Sequence, residues 1–237
     1  MKKPYVICHM ASSVNGKIIT ANWGDPEKRK LFSSLYEECH TSYNSQGWMC
    51  GRVTMEKDFS KGEKPVLVQP AAAIERVSFI GDSEADSFAI AIDAKGKLGW
   101  PANELGGDHI ISVLTEGVSD AYLHYLQQKK VSYIFAGKEE VDFALVLEQL
   151  VDLFGIKTLM LEGGGVINGS LLNAGLIDEL SLLILPIADS TPGTNTVFEA
   201  VEGLALPVAP QLHLKDVQRL EGSVLWLKYQ ARTTADF

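Results

Sequence analysis

The feature that most narrows the possible folds is a repeated exchange of short apolar runs with helix-like segments. The runs fall at 5–10, 47–50, 88–92, 110–114, 132–136, 158–161 and 182–185. Several are apolar at every position, as in strands covered on both faces. The expected class is therefore α/β, a three-layer fold with helices on both faces of a central, mainly parallel sheet. Asp25-Pro26 has the residue types that cap and start a helix, expected to run to about Tyr43. Ser119 opens a second helix, whose Ala121, Tyr122, Tyr125 and Leu126 share one side. Asp142 opens a third, carrying Leu145, Val146, Leu147, Leu150, Val151 and Phe154 and closed by Gly155. Near the end, segments 212–218 and 224–230 flank Glu221-Gly222-Ser223 and read as an antiparallel hairpin, which makes the sheet mixed. No repeat or Gly/Pro/Ser-rich linker divides the chain, so residues 1–237 are expected to be a single domain, least regular at 186–210.

The formal charge of −9 is spread over helices and loops rather than gathered into a tail, which favours solubility and excludes nucleic acid as an expected partner. No apolar run approaches the roughly 18 residues that span a bilayer, and the opening MKKPYVICHM holds a strand-length segment in place of a signal peptide. A cytoplasmic protein with no membrane partner is expected. Cys8, Cys39 and Cys50 are odd in number and lack CxxC spacing, which argues against a disulfide framework and a zinc site, so no metal is expected. Cys8 and Cys50 lie in apolar runs and read as core thiols.

The stretch LMLEGGGVING, residues 159–169, ends a buried strand in a carboxylate and three glycines before helical character resumes at 166–174 with a stop at Gly175. A helix N-terminus presents unpaired N–H groups and partial positive charge, and residues without side chains let a phosphate approach. Taken alone, the same glycines serve equally well as a tight corner. The spacing is not GxGxxG and lies late in the chain, which disfavours an ordinary Rossmann fold. A second corner, Cys50-Gly51-Arg52-Val53-Thr54-Met55-Glu56, follows the run at 47–50. There Gly51 permits close backbone approach, Thr54 offers a hydroxyl, and Arg52 is a cation suited to a phosphate monoester or a surface arginine on a helix.

EGGGVINGSLLNAGLIDEL, residues 162–180, is similar to the signature of the riboflavin-biosynthesis pyrimidine reductases. These form the C-terminal half of the bifunctional deaminase-reductase and share the dihydrofolate reductase fold. Ala11-Ser12-Ser13-Val14-Asn15-Gly16-Lys17-Ile18 resembles the family's first strand and loop, written MSLDGKI, and GRVT resembles the GRxT corner of dihydrofolate reductases. The likeness runs from residue 5 to about residue 227. It implies an NADPH-dependent reductase in which Gly51, Arg52, Val53 and Thr54, with Gly163, Gly164, Gly165, Val166 and Ile167, hold NADPH, and Arg52 faces the 2′-phosphate. It also implies that Ser13, Asn15, Gly16 and Lys17 line the substrate pocket, joined by Arg29 from a segment resembling the family's PEAR. The implied reaction carries hydride to the anomeric carbon of a 5-amino-6-(5-phosphoribosylamino)uracil-like substrate, turning a ribosylamino group into a ribitylamino group. Asp58, matching the family's acid after GxxT, is the implied catalytic acid, and Glu162 is the other acid expected in the pocket. The alternatives are a solvated helix-end acid for Asp58 and a carboxylate bonded to nearby backbone N–H groups for Glu162. A homodimer is the implied assembly.

The sequence departs from that pattern at several positions. Asn15 stands where the family has aspartate, and Phe59-Ser60-Lys61-Gly62-Glu63-Lys64 lacks the second aspartate, proline and arginine of the family loop, where Lys61 or Lys64 is either a substitute cation or a surface lysine. There is no HxE followed by PCxxC, and His9, His40, His109, His124 and His213 are scattered and receive no role. Trp23 covers a substrate or packs the start of the first helix, and packing is preferred. A dihydrofolate reductase-like enzyme on a pterin and a non-catalytic nucleotide-binding module are the alternatives.

Overall fold

The computed structural model describes residues 2–24, 26–200 and 209–231. Contacts divide the chain into two compact units, one of residues 1–4 and 46–159, the other of residues 5–45 and 160–237.

In the first unit, β2 (Gly47–Gly51), β3 (Phe88–Ile92), β5 (Asp108–Leu114) and β6 (Ser132–Phe135) pair in parallel, and β4 (Glu104–Leu105) pairs antiparallel with the start of β5. Every residue of β2 and β3 is buried, which is why these runs carry no polar alternation. The register sets Gly51 beside Ile92 and Ile92 beside Val113, so the residues that follow β2, β3 and β5 leave from one carboxyl edge. After Gly51 the chain makes one helical turn, α2 (Arg52–Thr54), and widens into a π turn over Met55–Phe59, closed by the Ser60 amide donating to the Met55 carbonyl at 2.9 Å. Helix α3 (Asp120–Lys129) is capped by Ser119, whose side chain accepts from the Tyr122 amide, and α4 (Phe143–Phe154) by Asp142, which accepts from the amides of Ala144 and Leu145. Gly155 ends α4 at φ 67°, the left-handed stop expected of it.

In the second unit, β1 (Tyr5–Ser13) pairs in parallel with β8 (Glu179–Leu185), β8 pairs antiparallel with β10 (Leu225–Ala231), and β10 with β9 (Leu212–Arg219), forming the expected hairpin. β1 continues past the apolar run because Ser12 and Ser13, both buried, pair with Ile184 and Leu185. Helix α1 (Pro26–Thr41) ends before Tyr43, since the amides of Tyr43 and Asn44 turn back to the carbonyls of His40 and Thr41 and Asn44 takes φ 48°. Its proposed cap, Asp25, lies outside the described residues. Phe32, Leu35 and Cys39 of α1 share a core with Trp23, Leu183, Leu185, Val224 and Trp226. Trp23 is 2% exposed, so packing is its role. Strand β7 (Thr158–Leu161), on which the division between the units falls, leads to α5 (Gly165–Asn173). All three cysteines are buried and none is in a disulfide. Among the described residues, no helix is long and apolar enough to cross a membrane.

The fold is thus α/β with a mixed, mainly parallel sheet and a C-terminal antiparallel hairpin.

Candidate active site

The glycine turn begins where β7 ends. Glu162, at that carboxyl end, is largely buried, and its Oε1 lies 2.7 Å from Nδ1 of His40 on α1. A carboxylate oxygen can only accept, so the ring proton is assigned to Nδ1. Around this pair, the His9 ring is fully buried, with Nδ1 2.9 Å from Ser181 Oγ and Nε2 3.1 Å from the Tyr36 carbonyl oxygen. Burial pushes His9 down to about 4 against the opposing pull of Glu162, so it is neutral at ordinary pH. Burial, reinforced by the Glu162 charge, raises Cys8, Tyr36 and Glu37. The Tyr36 hydroxyl donates to the His9 carbonyl oxygen at 3.0 Å. Glu162 is therefore the acid of a cluster in which His9 does not carry charge and His40 supplies the hydrogen bond.

Past Glu162, Gly163 takes φ 93° and the Gly163–Gly164 peptide is cis. A Cβ on Gly163 would stand 3.3 Å from the Met10 thioether, and its backbone conformation already favours glycine. Gly164 is the N-cap of α5 and no side chain caps the helix there. Gly165 and Gly169 serve a different purpose. A Cβ on Gly165 would come 2.4 Å from the Thr196 carbonyl oxygen, and one on Gly169 would come 1.9 Å from that of Glu199. The Glu199 amide donates to Gly165 O at 2.9 Å, while its carboxylate accepts from the amide and hydroxyl of Thr196. These two glycines let the chain's own backbone lie against α5. Val166 is exposed at the first turn, and Ile167 is partly buried.

The first loop is a closed hydrogen-bonded unit. Ser13 Oγ donates to Asn15 Oδ1 at 2.8 Å and accepts from the Lys17 amide at 3.0 Å, with Gly16 at φ 82°. Asn15 Nδ2 donates to the Asp189 carbonyl oxygen at 2.8 Å, and its Oδ1 accepts from the Asp189 amide at 3.2 Å. Lys17 Nζ donates to Thr194 O at 2.9 Å. Trp23 Nε1 donates to Asp189 Oδ2, and hydrogen bonds from Thr191, helped by Trp23, hold the Asp189 carboxyl below its usual range. Asparagine suits position 15 because the site needs a donor and an acceptor on one side chain, which an ionised aspartate does not offer. Asn15→Asp is expected to lower stability by about 1 kcal/mol, the net worth of a lost hydrogen bond. That is a fall in Tm of about 2–4 °C for a chain of this size. An unchanged melting curve would remove this role for the amide.

In the first unit, the Gly51–Thr54 corner leaves the carboxyl end of β2 as expected. Arg52 Nη1 donates to Glu56 Oε2 at 2.6 Å, and Lys64 Nζ also bonds the Glu56 carboxylate. Val53 is exposed and Thr54 half-buried. Asp58 is exposed in the π turn, and Arg29 is exposed on α1. Asp93, at the end of β3, is buried and accepts from the amides of Lys97 and Leu98 and from the Tyr122 hydroxyl. Burial raises its carboxyl and the Arg52 charge opposes it.

Sequence reasoning missed His40 and Glu56. Nothing local in the sequence links His40 to a carboxylate 122 positions away. Glu56, four residues after Arg52 on a helical turn, was legible as its partner.

A family model described as the RibD C-terminal domain matches residues 4–225. The 2,5-diamino-6-ribosylamino-4(3H)-pyrimidinone 5′-phosphate reductase of Aquifex aeolicus (strain VF5) is 27% identical over 199 residues, covering 79% of this chain and 79% of that protein. The protein of the same name from Methanothermobacter thermautotrophicus is 29% identical over 193 residues, covering 78% and 79%. Among solved structures, a pyrimidine reductase-like protein from Corynebacterium diphtheriae superposes with TM-score 0.64 at 17% identity, covering 97% of this chain and 92% of the other. The Saccharomyces riboflavin biosynthesis reductase gives TM-score 0.60 at 18% identity, covering 97% and 90%.

Proposed function

We propose that this chain, which belongs to the RibD C-terminal domain family, is an NADPH-dependent reductase acting on a ribosylamino-pyrimidine 5′-phosphate. It is an oxidoreductase of the same kind as the relatives whose names specify 2,5-diamino-6-ribosylamino-4(3H)-pyrimidinone 5′-phosphate. That compound, rather than its uracil counterpart, is the substrate favoured here. The observation that carries the reading is the order of parts on β7 and α5. A carboxylate hydrogen-bonded to an imidazole is followed directly by a glycine turn and a helix start that no side chain caps. Such a start fits a pyrophosphate, with Gly163 and Gly164 giving bare backbone and α5 its N-terminal amides. In the other unit, Gly51, Arg52, Val53 and Thr54 keep the cofactor role that the family resemblance implies, Arg52 being suited to a 2′-phosphate.

NADPH, when bound, supplies the hydride. The net reaction forms a C–H bond at the anomeric carbon and breaks that carbon's bond to the ring oxygen, which then needs one proton. Glu162 is the group assigned to deliver it, taking the proton across its hydrogen bond from His40 in the doubly protonated, imidazolium form, which is left as neutral imidazole. The loop Ser13, Asn15, Gly16 and Lys17 would bound the substrate through backbone held in place by its bonds to residues 187–196. Asp58 and Arg29, both exposed, are retained only as peripheral contacts. The same reading takes residues 1–237 as a single reductase domain, supported by one family model running through both compact units. It also takes the enzyme to be a cytoplasmic homodimer, which sedimentation would check.

Loss of NADPH absorbance on adding the diaminopyrimidinone tests the function, and absence of turnover on either pyrimidine, with intact folding, would overturn it. Arg52→Gln is expected to weaken NADPH about tenfold while moving NADH less than about twofold, the difference made by one charge-assisted phosphate contact. Equal weakening of both dinucleotides would remove the role given to Arg52.

A further inference from the structure

Glu56 holds two cations that come to it from different directions along the chain. Arg52 reaches it from one helical turn before, and Lys64 from beyond a reversal. That reversal is built. The amide of Gly62 donates to Glu56 O at 2.9 Å, that of Glu63 to Ser60 O at 3.0 Å, and Lys61 and Gly62 both take positive φ. The backbone of Glu63 and Lys64 then lies against Gly99, where a Cβ would come 2.6 Å from Glu63 O, and the Gly99 amide donates to that same oxygen at 3.2 Å. Lys64 is thus returned to the corner by its main chain. The Glu56 carboxyl is held below its usual range, first by the Lys64 hydrogen bond and then by the charges of Lys64 and Arg52.

We propose that Arg52 and Lys64 form a phosphate-monoester site and that Glu56 guards it, setting how strongly this corner prefers a 2′-phosphate to a 2′-hydroxyl. The assignment rests on the cofactor reading above. A phosphate monoester carries about −1.5 to −2 charge on three acceptor oxygens, so it can draw both cations away from a single carboxylate. To do so it must break two ion pairs and lie beside the Glu56 charge. A ribose 2′-hydroxyl brings no charge, leaves both pairs intact, and can donate to a carboxylate, as acidic residues do in NAD-binding sites. Glu56 therefore weakens the phosphorylated nucleotide and spares the other. Phosphate from the substrate's ribose would meet the same chemistry.

The test is titration of the wild-type protein, Glu56→Gln and Lys64→Gln with NADPH, NADH and ribose 5-phosphate, followed by calorimetry. Glutamine keeps the length of Glu56 and removes its charge, and the position is on the surface, so folding is retained. Glu56→Gln is expected to bind NADPH about three- to tenfold tighter, the range of two surface ion pairs released, with NADH unchanged or weaker. Lys64→Gln is expected to weaken NADPH about two- to fivefold, leaving NADH in place. An unchanged NADPH-to-NADH ratio in Glu56→Gln would overturn the assignment. Tightening of ribose 5-phosphate alone would also overturn it and give the site to the substrate. Failure of the wild-type protein to bind either dinucleotide would overturn the cofactor reading itself, and the role of Glu56 with it.

Discussion

Glu162→Gln is expected to lower kcat on the diaminopyrimidinone by about 10²–10³-fold, the usual contribution of a positioned general acid, with NADPH affinity kept within about twofold. Glutamine is close to isosteric, and its Oε1 can still accept from His40 Nδ1, so the cluster with His9 and Tyr36 should stay packed. What it cannot do is receive a proton from the His40 imidazolium and pass it on. The substitution thus separates chemistry from binding: a change in kcat with KM and dinucleotide affinity preserved is the signature of an interaction made only in the transition state. Asp58→Asn serves as the comparison, because Asp58 is exposed in the turn that carries it. A Glu162→Gln enzyme within about threefold of wild type, or an Asp58→Asn enzyme that loses more, would transfer the proton role away from Glu162.

Gly169→Ala should produce the largest loss of stability among single-methyl changes in the second unit. The added carbon would fall 1.9 Å from the Glu199 carbonyl oxygen and 2.8 Å from its carbonyl carbon, both of them main chain that no rotamer change can move. Either α5 shifts or residues 196–199 lift away, breaking the bond from the Glu199 amide to Gly165 O. Because both contacts are to main chain, the cost is expected at the upper end of the about 1–3 kcal/mol of overpacking, which leaves about 2 kcal/mol after the gain of about 1 kcal/mol that alanine brings to a helix interior. At about 2–4 °C per kcal/mol for a chain of this size, the net fall in Tm is about 4–8 °C. A thermal melt within a degree or two of wild type would mean that the segment is not held against the helix.

The elements that sequence alone made legible are those whose determinants are local. β2 and β3 are apolar throughout because they are buried throughout, and Ser119, Asp142 and Gly155 bound their helices with groups that act within four residues. The glycine turn was found for the same reason. Its interpretation was only partly legible, because what fills the space beside Gly165 and Gly169 is a segment about thirty residues later, and nothing in the motif announces it. His40 was set aside because one histidine on a helix has no visible partner, and its carboxylate lies on another element. Asn15 looked like a departure from a pattern. Its meaning came from Asp189, whose main chain offers one donor and one acceptor to the same amide.

The fastening of the first loop has a further consequence. Val14 and Ile18 bond through their amides to Ile187 and Asn195, and Lys17 pairs with Thr196, so residues 13–18 share almost every main-chain anchor with residues 187–196. Neither stretch is free to swing by itself. A displacement of one is expected to carry the other, and through Thr196 and Glu199 to reach the backbone lying along α5.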